Sequence, residues 1–341
     1  MSLPKSFSPF AIREKLEETG LKGRNFEFLT DYSRAQLQSL FEAGEMLEPF
    51  WRSQLTLMNG KVLATLFFQP STRTRFSTEV AMIRLGGAVL SESNPTTSSS
   101  AAKGESLSDY LRTVSNYADI IALRHPNDEE VFASLKGARV PVISGGWGNV
   151  THPTQGLLDV YTIYRALGRF EGIKVMIASS DLSRARSGHS FALGLATMGA
   201  ELLYVGTSEN AIPQTILDRL GATGAKVSIR NDLTHEEFLD SLAEVDACYL
   251  PGCSVPRDDP AARAAFLDRI APFYITLDAL EKVKKKTGKV VGIMHSLPRN
   301  DVEFDYAIDD SEFQLYFRQM AFSVPIRMAL IAGMAGPAVK F

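Results

Sequence analysis

The chain has 341 residues, 45% hydrophobic and 22% charged, with a formal net charge of −3, a globular composition that argues against disorder. The slightly acidic balance and the lack of a basic tail argue against broad nucleic-acid binding, which needs clustered positive charge. A chain this long is expected to split into two domains, since one core rarely grows to fill it.

No stretch approaches 18 apolar residues, and the N-terminal MSLPKSFSPFAIREKLEE lacks an apolar run of signal length, so the chain reads as soluble and cytoplasmic. Its two cysteines, Cys248 and Cys253, have no metal-type partners nearby in sequence. That implies neither a disulfide framework nor a zinc site, and no other metal or cofactor motif is found.

In chain order, KVLATLFF (61–68) predicts a buried strand, RFSTEVAMIRLGG (75–87) a helix with a glycine stop, and AVLSE (88–92) a second strand. SNPTTSSSAAKGES (93–106) is a polar loop of small residues. A helix is expected over 106–118, strands over 119–124 and 141–146, and a long helix over 152–168. The pattern then restarts with a strand at 172–179 and a helix at 186–199. Further strands are expected at 200–206, 225–232 and 247–252, and another from 289 that runs into a polar loop. The last segment, 316–336, predicts a helix interrupted by Pro325. Two βαβ series imply an α/β fold of two three-layer parallel-sheet domains, 1–168 and 169–314, with the C-terminal helix 315–341 packing back on the first.

In open parallel sheets ligands bind beyond the carboxyl ends of the strands. Polar loops follow four of the expected strands: Ser71-Thr72-Arg73-Thr74-Arg75, Arg124-His125-Pro126, the 147–155 loop, and His295-Ser296-Leu297-Pro298-Arg299. The first has three hydroxyls and two guanidiniums at a helix start. There, unpaired N–H groups and the positive helix end favour an anion, and guanidiniums match phosphate geometry. The alternative is an ordinary N-cap with surface arginines, but two cations at the positive end oppose the dipole unless an anion neutralises them.

The S-T-R-T-R loop, SSSAAKGESLSDYLRTVSNYADIIALRHP, HPTQGLLDVYTIYRALG and HSLPR follow one another as in a known family. The chain resembles the aspartate/ornithine carbamoyltransferases over most of residues 60–330, with wording closest to the aspartate branch. The resemblance implies transfer of a carbamoyl group from carbamoyl phosphate to an amine, with aspartate giving N-carbamoyl-L-aspartate for pyrimidine biosynthesis. It assigns Ser71, Thr72, Arg73 and Thr74 to the phosphate, and Arg124, Thr74 and His152 to the carbonyl oxygen. It gives Gln155 the carbamoyl NH2 and Arg186 an acceptor carboxylate. The carbonyl of Leu297, beside Pro298, would help place the nitrogen. Ser99 and Lys103 fit a loop that crosses into a neighbouring subunit's site, which implies a homotrimer with shared sites. Glu105 would pair with Arg73, and His125 and His295 would support local geometry.

The second half departs from that family. Ser180 and Ala185 stand where the family has glycines, and Gly252 and Ser254 stand where aspartate enzymes carry a second carboxylate-binding arginine and a glutamine. Ser296 replaces their proline and the cysteine of ornithine enzymes. Arg184 or Arg257 would have to substitute for the missing arginine. The acceptor therefore stays open between aspartate and another amino or amide compound held by one carboxylate. A non-catalytic paralogue is a further alternative. A nucleotide-binding protein is disfavoured, since neither a G-x-G-x-x-G after a strand nor a P-loop is present.

Overall fold

The computed structural model of the protein describes residues 9–99, 103–256 and 258–337. Its contacts divide the chain into two units, residues 1–161 with 321–341, and residues 162–320.

The first unit begins with helices α1 (Pro9–Glu18) and α2 (Arg34–Leu47). It continues through β1 (Val62–Phe67), α3 (Thr72–Arg84), β2 (Ala88–Glu92), the one-turn α4 (Pro95–Ser98), α5 (Leu107–Val114), β3 (Ile120–His125), α6 (Asp128–Ser134) and β4 (Val142–Trp147). α7 (Pro153–Leu167) carries the chain past the division at 161. The sheet runs β2-β1-β3-β4, parallel throughout. β1 and β3 are near-continuous apolar runs because both their faces are covered, whereas β2 lies at the edge and is largely exposed. Leu66, Leu111, Ile121, Leu123, Val142 and Trp147 form the core, and the buried Trp147 indole donates to the Leu123 carbonyl at 2.9 Å. Phe67 pairs with Arg124 and His125 with Trp147, so the loops after these strands leave one edge together.

The second unit contains β5 (Lys174–Ala178), α8 (Arg186–Met198), β6 (Glu201–Gly206), α9 (Gln214–Ala222), β7 (Val227–Asn231) and α10 (His235–Ser241). β8 (Ala247–Leu250), α11 (Pro260–Ile270), α12 (Leu277–Thr287) and β9 (Gly292–His295) complete it. Its sheet order is β7-β6-β5-β8-β9, again parallel. Leu250 pairs with His295, which sets the loops after β8 and β9 side by side.

α13 (Tyr316–Ala335) contains Pro325 but runs through it as one helix. Its later residues belong to the first unit, as expected of the C-terminal helix. Phe322 meets Tyr161 edge-on with centroids 5.6 Å apart. The buried Arg327 donates to the carbonyls of Ser323 and Thr154. Burial pushes its guanidinium down to about 10, against an opposing pull from Asp159.

The helix starts differ in how they are capped. Ser33, Ser106, Thr234 and Thr276 cap α2, α5, α10 and α12 through side-chain hydrogen bonds. Ser71 occupies the N-cap of α3 without making such a bond, and Ala185 starts α8 with no side chain able to cap it. α3 also begins three residues earlier than the sequence suggests, so Thr72, Arg73 and Thr74 form its first turn rather than a preceding loop.

Candidate active site

The first cluster lies in the first unit, where α3, β3 and the start of α7 meet. The Thr74 hydroxyl, buried in the first turn of α3, lies 3.4 Å from Nε2 of His152. On the other side of that ring, Nδ1 is 3.2 Å from the Thr154 hydroxyl, which donates to the Ser144 carbonyl at 3.1 Å. Both ring nitrogens thus face a hydroxyl, and either can carry the ring hydrogen. Arg124 donates from Nη1 to the Gly145 carbonyl at 3.2 Å. Gly146, at φ +112°, lets the backbone pass between these groups. A Cβ there would lie 3.3 Å from the His152 ring and 3.4 Å from Arg124 Nη1.

Gln155 follows His152 on α7 and is buried. Its side-chain NH2 donates to Asp159 Oδ1 at 2.8 Å. A carboxylate only accepts, so the amide is oriented with its oxygen as the remaining acceptor. That oxygen suits a ligand NH2 group.

Ser71 and Thr72 stand at the uncapped start of α3, beside the exposed Arg73. The ordinary N-cap explanation fails for Ser71, because its hydroxyl does not cap the helix it precedes. Arg75 turns away, reaching Ser91 on β2 and lying over the Phe76 ring. His125 accepts from the Asn127 N–H at 3.2 Å and so shapes its own loop. Ser99 donates back to the Pro95 carbonyl, and Lys103 is exposed just beyond 100–102, which lie outside the described residues. The structure thus gathers Thr74, Arg124, His152 and Gln155, and leaves Ser99 and Lys103 on a surface loop.

The second cluster lies in the second unit. Arg186 opens α8, half-buried, and burial lowers its pKa from the ordinary guanidinium value. Ala185 before it adopts φ −79°, open to any residue, so the family's glycine is not needed there. The turn after β9 is tightly bonded. The Leu297 N–H donates to His295 Nδ1 at 2.8 Å, and His295 Nε2 lies 2.9 Å from Glu303 Oε1, both groups buried. Since Nδ1 accepts, the ring hydrogen sits on Nε2 and donates to Glu303. This holds Leu297 at φ +56°, a conformation few non-glycine residues adopt. The peptide to Pro298 is cis. Gly252 lies at φ +86° beside this turn, and a Cβ on it would lie 3.2 Å from Ser296 Oγ and 3.3 Å from His295 Cε1. Ser254 and Arg184 are exposed, and Arg257 lies outside the described residues.

Two family models match in succession. The aspartate/ornithine carbamoyltransferase carbamoyl-P binding domain covers residues 24–165, and the Asp/Orn binding domain of the same enzymes covers residues 171–334. The chain belongs to the aspartate/ornithine carbamoyltransferase family. It is 46% identical over 327 residues to a ureidoglycine carbamoyltransferase of Rubrobacter xylanophilus, covering 96% of each chain. It is 37% identical over 311 residues to the aspartate carbamoyltransferase catalytic subunit of Thermococcus gammatolerans, covering 91% of this chain and 96% of that one. Aspartate transcarbamoylase from Trypanosoma cruzi, solved with carbamoyl aspartate and phosphate, superposes with a TM-score of 0.81 at 30% identity, over 94% of this chain and 99% of that one.

As a carbamoyltransferase, the protein shows several site features that motif matching passes over. Asp159 was signalled only as an acidic residue inside the apolar run GLLDVYTIYRAL, one helical turn after Gln155. Glu303 and Asn300 gave no signal, because their partners are brought to them by the fold. Among the described residues, no group of three His, Cys, Asp or Glu side chains could hold a metal ion. No helix is long and apolar enough to cross a membrane.

Proposed function

We propose that this carbamoyltransferase uses carbamoyl phosphate and a small acceptor with one carboxylate and a neutral amide-like group, ureidoglycine being the candidate. The carrying observation is Gly252. Where aspartate enzymes have a carboxylate-binding arginine, this chain has a glycine with positive φ, crowded by Ser296 and His295. A dicarboxylate would then bring a second charge to position 252, which offers no guanidinium to meet it. The 46% identity to a ureidoglycine carbamoyltransferase supports the same reading.

In this reading the uncapped start of α3, with Ser71, Thr72, Arg73 and Thr74, receives the phosphate. Arg124, Thr74 and His152 polarise the carbonyl oxygen, and the Gln155 oxygen accepts from the carbamoyl NH2. Arg186 takes the acceptor carboxylate, and the Leu297 carbonyl orients the incoming nitrogen. That nitrogen bonds to the carbonyl carbon, the bond from this carbon to the phosphate oxygen breaks, phosphate leaves and the nitrogen loses a proton. Catalysis then consists of orientation and charge stabilisation, without a covalent enzyme intermediate.

Aspartate is the second reading, favoured by Arg186 and by the 37% identity to an aspartate enzyme. Pyrimidine biosynthesis belongs to that reading alone. Comparing kcat/KM for ureidoglycine, L-aspartate and L-ornithine at saturating carbamoyl phosphate decides between them. Ureidoglycine is expected to lead by at least tenfold, and a lead for aspartate would overturn the assignment.

Shared sites in a homotrimer would bring Ser99 and Lys103 to a neighbour's phosphate. The exposed stripe Phe76, Val80 and Ile83 on α3, with exposed Leu90 on β2, supports association. Light scattering should give three times the 37.4 kDa chain mass. A cytoplasmic location fits cysteines that are both outside any disulfide.

A further inference from the structure

The substituted loop after β8 is fastened to the turn after β9 inside the second unit. The Ser296 hydroxyl donates to the Pro251 carbonyl. The Asn300 side-chain amide donates to the Cys253 carbonyl at 3.1 Å. These two carbonyls flank Gly252. Asn300 is itself braced, since its backbone N–H donates to Glu303 Oε2 at 2.8 Å. The other oxygen of Glu303 takes the His295 hydrogen, and His295 holds Leu297. An unbroken chain of hydrogen bonds therefore joins residues 251–253 to Leu297, with the buried His295–Glu303 pair at its centre.

The donors that reach the carbonyls of residues 251–253 are side chains. A proline at 296 would offer none, and a thiol would offer a weak one. Gly252 fits the same arrangement. Its φ of +86° is strained for any residue with a Cβ, and the space a Cβ would enter is lined by Ser296 and His295. An arginine at position 252 would be strained at this φ, and its Cβ would press on Ser296 and His295, which hold the clamp. Gly252, Ser296 and Asn300 are therefore one interlocked device rather than three separate substitutions.

We propose that Ser296 and Asn300 are positioning residues that set acceptor specificity by fixing the 251–254 loop in a form that excludes a cationic side chain and admits a neutral acceptor group. The proposal rests on reading 251–254 as the acceptor loop, and it deepens that reading by naming what holds the loop.

The test uses the full-length enzyme and whichever of ureidoglycine and L-aspartate the unaltered protein turns over faster. Ser296→Ala and Asn300→Ala should each raise the acceptor KM about tenfold, the upper end of what one hydrogen bond contributes. Their kcat should stay within about twofold, and carbamoyl phosphate should bind as before by calorimetry. The double variant should fall short of the product of the singles, because the two bonds hold one loop. Ser296→Thr, which keeps the hydroxyl, should restore KM. Gly252→Arg should not improve aspartate use alone, but should improve it when combined with Ser296→Pro and Asn300→Ala. Unchanged KM in both alanine variants would overturn the proposal. So would a fall in kcat with KM unmoved, or aspartate use gained by Gly252→Arg alone. An unaltered enzyme that turns over neither acceptor would instead defeat the functional assignment.

Discussion

The two units resolve the same problem, a helix entered after a parallel strand, with opposite degrees of freedom. At α3 and α7 the polar groups are locked to one another: Thr74 to His152, His152 to Thr154, Gln155 to Asp159. Thr74, His152 and Gln155 of that cluster fit the family wording. At β8 and β9 the scaffold is equally well bonded, but the residues that would read the acceptor have changed. A shared donor needs one invariant geometry, whereas the acceptor is the part of the chemistry that can vary. On the proposed reading, the second unit sets specificity and the first holds the shared donor.

That contrast makes graded predictions. Arg124→Ala should lower kcat about 10²- to 10³-fold, the usual loss of a preorganised donor to a developing oxyanion, with little change in Tm by calorimetry. Activity within tenfold of the unaltered enzyme would mean the first cluster is misassigned. Arg186→Leu should raise the acceptor KM about 10- to 100-fold, as expected for losing a charged hydrogen-bonding partner. Carbamoyl phosphate affinity should be untouched in a titration, so a fall in both would blur the division between units. Asp159→Asn should cost about tenfold in kcat, because an amide at 159 can donate as well as accept and no longer fixes which way Gln155 points. Steady-state kinetics beside Gln155→Ala would show whether the two losses overlap.

The last effect concerns stability rather than activity. Burial holds His189 at about 4, below the ordinary 6.5. Its neutral form therefore contributes stability that is complete above pH 6.5 and is lost as pH falls toward 4. His189→Leu should flatten the acid limb of the stability curve between those values by up to about 3 kcal/mol, measured by urea unfolding. An unchanged acid limb would place the sensitivity elsewhere.

Much of this was legible before the fold. The strands that carry the polar loops are apolar runs bounded by glycine and polar residues, so β1, β3, β4, β5 and β9 could be located from pattern. The grouping of Thr74, Arg124 and His152 was legible because these residues lie at or after strand ends. The start of α3 was misplaced because Ser71 resembles a loop residue and makes no cap, so the usual helix-start signal is missing. Pro325 suggested a break, yet α13 continues through it with Arg327 buried in the next turn. The Ser296–Pro251 and Asn300–Cys253 bonds join residues 45 and 47 positions apart, and their acceptors are backbone carbonyls. No side-chain pattern in a single sequence can announce such a contact.

The first unit carries a donor cluster ordinary for the family, and the second carries a substituted acceptor loop. Titration of the enzyme with carbamoyl phosphate and with N-(phosphonacetyl)-L-aspartate, the ligand bound in one of the related Trypanosoma cruzi structures, tests both halves at once. Carbamoyl phosphate should bind, and the aspartate-bearing analogue should bind no more than about tenfold more tightly, since its second carboxylate finds no arginine at 252. A gain of 10² or more, the usual range for an analogue complementary to both ends of a site, would show that the second unit grips aspartate and would contradict the account.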